Sequence, residues 1–327
     1  MPVPNFALTR RVALAAVAAA VLPVHAQAAW PSKPIRLIVA YPPGGLSDDV
    51  ARTLGERLGA ALGQPLIVEN KAGASGTIGL DAVAKAAPDG YTFGFCAISP
   101  LALTPHLGKS PFNPTRDLVP VVSVMDSPVL LLATGASPAK DLPDLLAMAK
   151  ARPGAVRWAT SGPASLGHLM LEQLKAAAKV DITHIPYKGG GQQITDAIGG
   201  QFEVLSVNAS AALSQQVKAG KLRLLAVGAP ARLDAFPNVP TLAELGYPAA
   251  NLSSVFGLFA PAGVPPAVLE RLNAEVNKAL AAPELRTRLA LGDNMPTGGT
   301  SAAFSKLIAT ESQNNARIIQ AAHIQPE

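Results

Sequence analysis

Two adjacent glycines, Gly44 and Gly45, sit where a main chain can hold an anion without a charged side chain. An apolar run (Ile35, Leu37, Ile38, Val39) leads into Tyr41-Pro42-Pro43-Gly44-Gly45. Beyond Leu46, the apolar positions Val50, Leu54 and Leu58 recur at helical spacing, and Ser47 or Asp48 is placed to cap that helix. Strand, glycine turn and helix together aim unpaired N–H groups and the positive end of a helix dipole above the turn. A Cβ at either glycine is expected to block that approach. The pattern recurs at Asn70 to Gly79. It returns at Thr160-Ser161-Gly162 through Ser165 and Leu166, where the following helix carries His168 near its start. Tyr187-Lys188-Gly189 opens a further helix. One such loop is an ordinary strand-to-helix turn. Several, at the carboxyl ends of strands in open α/β sheets, describe an anion clamp.

Other chemistry has weaker support. Gly73, Gly76 and Gly79 are spaced G-x-x-G-x-x-G, which is not the dinucleotide pattern. Gly108-Lys109-Ser110 looks like the end of a phosphate loop, but Leu103 stands where its first glycine belongs. Beyond the first 28 residues, the histidines His106, His168, His184 and His323 form no H-E-x-x-H motif and no close pair with Cys96, so neither a metal nor a cofactor is expected. Ser165 lacks the G-x-S-x-G frame because Pro163 occupies the first glycine position. An enzyme would need a Ser-His-Asp set gathered from distant positions. A secreted hydrolase or lyase on a two-lobed scaffold is the alternative function.

The positioning elements alternate. Strands are expected at 35–41, 65–69, 91–97, 155–160, 182–186, 202–207 and 222–227. Helices fall between them at 48–61, 77–87, 166–178, 191–198 and 211–219. Alternation of this kind indicates α/β layers with mostly parallel sheets. Leu118 to Ala133 is a long apolar strand suited to leaving one sheet for another, and Val255 to Ala260 can carry the chain back. Pro265 or Pro266 suits the start of the first of two closing helices. Two crossings give a hinged pair of lobes with a ligand cleft between them. The expected division is 29–126 and 254–327 in one lobe, and 127–253 in the other.

The first 28 residues have the layout of an export signal. Arg10-Arg11 precedes the apolar run Val12 to Val24, and Ala26-Gln27-Ala28 supplies a cleavage site. Removing the two arginines leaves 25 Lys and Arg against 22 Asp and Glu, a net charge near +3. That mild, scattered excess excludes nucleic acid as a natural partner. Cys96 is the only cysteine, so no intramolecular disulfide forms, and the exported chain relies on its core.

Several blocks in one order make the chain similar to a known family. They are P-S-K-P-I-R-L-I-V at 31–39, Y-P-P-G-G at 41–45 and G-Q-P-L-I-V-E-N-K-A-G-A-S-G at 63–76. V-A-K-A-A-P-D-G-Y-T at 83–92, H-I-P-Y-K-G at 184–189, K-A-G-K-L-R-L-L-A-V at 218–227 and R-L-N-A-E-V-N-K-A-L at 271–280 continue the series. Along its mature length the chain resembles the Bug-type periplasmic solute-binding receptors of tripartite tricarboxylate transporters. The resemblance implies a type II periplasmic-binding-protein fold, a monomer, and delivery of ligand to transporter membrane subunits or a sensor. Its ligands would be small carboxylates: di- or tricarboxylates, acidic amino acids or aromatic acids. One carboxylate would lie between Tyr41–Ser47 and Thr160–Leu166. Relatives often carry Ser-Asn-Gly-Thr where this chain has Ala97-Ile98-Ser99-Pro100, and Phe-Asp-Asn where it has Ser206-Val207-Asn208. They frequently have Asn at Pro163. An acid at Val207 would suit an ammonium group; its absence points to a carboxylate without an amine.

Overall fold

Alternate residues of β1 (Ile35–Val39) are buried on opposite faces, as a strand covered by helices on both sides requires. In the computed structural model, which describes residues 30–321 and 324, β1 lies between β2 (Leu66–Asn70) and β3 (Thr92–Ala97), parallel to both. Ile35, Leu37 and Val39 pack under α1 (Leu46–Leu62) through Leu54 and Leu58. Ile38 and Ala40 face α2 (Thr77–Ala84) through Leu80 and Val83. Two single-turn helices, α3 (Ser99–Ala102) and α4 (Thr104–Leu107), follow β3. The export signal expected over 1–28 lies outside the described residues.

The long strand is present over the expected span as β4 (Leu118–Ala133). Up to Pro128 it pairs with β9 (Ser253–Pro261), which in turn pairs with β3. From Val129 onward it pairs with β7 (Val204–Asn208) and β8 (Arg223–Gly228). Beyond β7 lie β5 (Arg157–Thr160) and β6 (Thr183–Pro186), parallel to one another. In this second half, α5 (Leu142–Ala151) and α6 (Leu166–Ala178) cover one face, with Leu145 and Leu174 against Trp158 and Leu131. The other face carries α7 (Gly190–Ile198) and α8 (Ala211–Lys218), through Ala197 and Leu213 against Leu205.

The expected mostly parallel sheets are corrected at the join. The strands form one ten-stranded sheet, ordered β2-β1-β3-β9-β4-β7-β5-β6 with β8 and β10 (Met295–Pro296) also on β4, and every pairing of β4 is antiparallel. A chain that leaves on β4 and returns on its neighbour β9 must run the opposite way. The closing segment has three helices, not two: α9 (Pro266–Ala281), α10 (Pro283–Leu291) and α11 (Ser301–Ala321). In α10 only Leu285 and Leu289 are buried, too faint a stripe to stand out in the sequence.

Candidate functional site

The first turns of four helices converge between the two halves of the sheet. Gly45 precedes α1, Ser165 precedes α6, Gly189 precedes α7 and Ser210 precedes α8. Ser165 and Ser210 cap their helices by accepting from His168 N and Leu213 N, at 3.1 and 3.3 Å. The expected cap at Ser47 or Asp48 is corrected: Gly45 occupies that position without a side-chain bond, leaving the first N–H groups of α1 directed outward.

These termini surround two adjoining chambers of about 50 and 30 Å³. Tyr41, Ser161, Val207 and Asn208 line both. The first also takes Gly45, Leu46 and Ser47 from α1, with Gly191 and Phe256 opposite. The second takes Ala97, Ser99, Ser165 and Leu166. Among the described residues, no Lys, Arg, His, Asp or Glu lines either chamber; eight serines do, Ser47, Ser75, Ser99, Ser161, Ser165, Ser206, Ser210 and Ser254. The positive potential there comes from backbone N–H groups and helix dipoles, each helix equivalent to roughly half a charge. Tyr41 is the one ionisable side chain of the lining among the described residues, and burial pushes its phenol well above its ordinary value. Its hydroxyl donates to Ser75 O at 3.4 Å.

Other residues expected at the site shape its frame. Pro43 and Gly44 are exposed, and Gly44 takes φ +78° while donating to Asp48 Oδ2 at 3.0 Å. The expected steric block is corrected: a Cβ on Gly44 meets nothing within 4 Å, so the constraint there is φ, and one on Gly45 meets only Gly191 N at 3.8 Å and Pro42 O at 3.9 Å. Asp48 turns from the chambers toward Arg52 and Asn70. Thr160 Oγ1 is bonded to the Gly162 backbone and to His184 Nε2 at 2.7 Å. The His168 ring stacks on His184 with centroids 4.3 Å apart, and its Nδ1 accepts from Ala164 N. His168 therefore braces the 160–165 loop from behind. Tyr187 donates to Asp196 Oδ2 at 2.7 Å, and burial together with that carboxylate pushes its phenol up to about 12. Lys188 is exposed outside the chambers.

The halves touch at these loops. A Cβ on Gly189 would lie 2.5 Å from Pro42 Cδ, one on Gly162 would lie 2.9 Å from Ser75 Oγ, and Ser75 Oγ donates to Pro163 O. Sequence reasoning missed Ser75, Ser206 and Phe256 as chamber walls. Ser75 belongs to a glycine loop that was visible; Ser206 and Phe256 lie within strands and carry no local signal. Among the described residues no cluster of His, Cys, Asp and Glu could hold a metal ion.

A family model described as "Tripartite tricarboxylate transporter family receptor" matches residues 50–324. The chain belongs to that family. Bordetella pertussis BugT, a family relative, is 39% identical over 311 residues, which are 94% of each chain. Among solved structures, "R. palustris Rpa4515 with adipate" is 30% identical, covers 91% of this chain and 100% of its own, and superposes with a TM-score of 0.86. MatC from Rhodopseudomonas palustris with bound malate is also 30% identical, covers 89% and 100%, and has a TM-score of 0.82. The tripartite tricarboxylate receptors are periplasmic solute-binding proteins, and the two-lobed architecture described above is theirs.

Proposed function

We propose that this chain is a periplasmic receptor for a small organic carboxylate lacking an amine, which it passes to the membrane subunits of a tripartite tricarboxylate-type transporter or to a sensor. The observation that carries this is the convergence of four helix N-termini on chambers with no charged side chain. Such a site neutralises a carboxylate through backbone donors. The adipate and malate of the solved relatives are of that class. A working division is 29–126 with 254–327 for one lobe and 127–253 for the other, with cleavage after Ala28 and a monomeric mature chain. Tyr41, Gly45, Leu46 and Ser47 face the ligand from one lobe. Ser161, Ser165 and Leu166 face it from the other, and Ala97, Ser99, Val207 and Asn208 meet its far end.

An ammonium buried without an acceptor costs several kcal/mol, and Val207 supplies no acceptor. Calorimetric titration should therefore show glutarate binding at least about tenfold more tightly than glutamate. Equal or tighter binding of glutamate would overturn the amine-free assignment, and silence toward every organic acid would overturn the carboxylate reading. Val207→Asp should narrow the gap.

A further inference from the structure

Gln193 lines neither chamber, yet it decides what one of their shared walls can do. It stands near the start of α7 with no exposed surface. Its Nε2 lies 3.0 Å from Ala159 O on β5 and 3.0 Å from Ser206 O on β7. A carbonyl oxygen only accepts, so the end of the amide that meets two of them is the nitrogen. That orientation sets Oε1 against Ser161 Oγ, 3.0 Å away. An amide oxygen also only accepts, and Ser161 has a single hydroxyl proton, so that proton is committed to Gln193. Toward the chambers Ser161 offers lone pairs alone.

The other serine hydroxyls divide by the same test. Ser75 Oγ donates to Pro163 O. Ser206 Oγ donates to Gly167 O at 2.9 Å while accepting from Trp158 Nε1 at 2.9 Å. Ser165 and Ser210 accept from the N–H groups that they cap, which uses their oxygens and not their protons. The lining is therefore polarised. Helix starts and their caps present donors suited to a carboxylate, whereas Ser161, shared by both chambers, presents an acceptor. A carboxylate oxygen set against Ser161 Oγ would bring lone pairs to lone pairs. A donor belongs there, and a hydroxyl beside the carboxylate supplies one. An ammonium fits less well, because it brings three N–H groups and a full charge to one neutral oxygen.

We propose that Gln193 is a positioning residue for ligand selection. By holding Ser161 as an acceptor, it makes the receptor favour an acid with a hydroxyl beside its carboxylate over the same acid without one. This rests on the carboxylate-receptor reading above and adds the group carried by the carbon next to the carboxylate.

Calorimetry on matched pairs tests it: lactate with propionate, malate with succinate, and 2-hydroxyglutarate with glutarate, each hydroxy acid as both enantiomers. Within the pair that binds most tightly, one enantiomer of the hydroxy acid should bind at least about fivefold more tightly than its deoxy counterpart. Gln193→Met releases the Ser161 proton, so it should bring that ratio within about twofold, with the deoxy acid bound as well as before or better. Losing the bonds to Ala159 O and Ser206 O should lower the thermal midpoint of this variant, so the ratio is the readout and not the affinity alone. Ser161→Ala should collapse the same ratio without touching the amide, which keeps the test decisive if Gln193→Met does not fold. A wild-type ratio near one, or a ratio that survives Ser161→Ala, would overturn the proposal. So would a Gln193→Met variant that weakens both acids alike, since that marks a structural brace only. Each of these results leaves the receptor assignment standing. If the wild type binds none of these acids, the receptor assignment falls, and the role of Gln193 with it.

Discussion

Asp48 stands in the first turn of α1, yet it does not line the chambers, and its carboxylate is paired with Arg52. Oδ2 accepts from Gly44 N and Arg52 Nε at 3.0 and 3.1 Å, and Oδ1 accepts from Asn70 Nδ2 at 3.0 Å. Burial alone would raise its pKa; the Arg52 and Gly44 bonds, with Asn70, outweigh that and hold the carboxyl below its ordinary value. A folded-state pKa below the unfolded one gives stability that is present above about pH 4 and lost as the pH falls through the lowered value. Asp48→Asn should therefore cost about 1–3 kcal/mol at neutral pH. The difference should close as the pH drops below the ordinary aspartate range. Denaturant titrations of both proteins at pH 7 and pH 3 check this; a gap that persists at pH 3 would mean that packing, not charge, fixes the turn.

Helix starts line the candidate site, and the helices behind them were among the more legible elements, although the cap of α1 was not. α6 occupies 166–178 as its periodicity predicts, and β4 occupies 118–133. Their signals are local: Ser165 before an apolar stripe, and an unbroken β-rich run. α5 escaped because Pro143 reads as a breaker, although it stands in the first turn behind the Asp141 cap. The antiparallel join was illegible for a different reason, since which strands become neighbours is decided by long-range pairing. The chamber walls divide the same way. Glycine loops announce themselves through backbone chemistry, whereas Ser206 and Phe256 gain their place only when β7 and β9 reach the cleft. Among the glycines of these loops, Gly189 is the one whose added Cβ would come nearest the other lobe. Gly189→Ala should lower carboxylate affinity at least about tenfold by setting a Cβ against Pro42 Cδ. Pro42→Ala in the same chain should restore most of it, and calorimetry on the double-mutant cycle reads the coupling. Independent, additive effects would show that the two loops need not meet for binding.

For the whole molecule, β4 is the strand that runs from one half of the sheet into the other. Its ladder with β9 slips register between Pro120 and Val122 and again between Ser123 and Met125, and it changes partners after Pro128. Irregular pairing of this sort bends more readily than an unbroken ladder. Contacts such as Pro42 with Gly189 exist only when the lobes meet, so a ligand touching both favours that state. Small-angle scattering should show the radius of gyration falling on saturation with a binding carboxylate, and an unchanged profile would mean that no hinge motion accompanies capture. The uncharged lining has its own consequence. With Tyr41 pushed out of range, nothing in the chamber wall gains or loses a proton in ordinary surroundings. If these chambers hold the carboxylate proposed above, capture follows the ionisation of the acid and not of the wall, so affinity should stay level with falling pH until the acid itself is protonated.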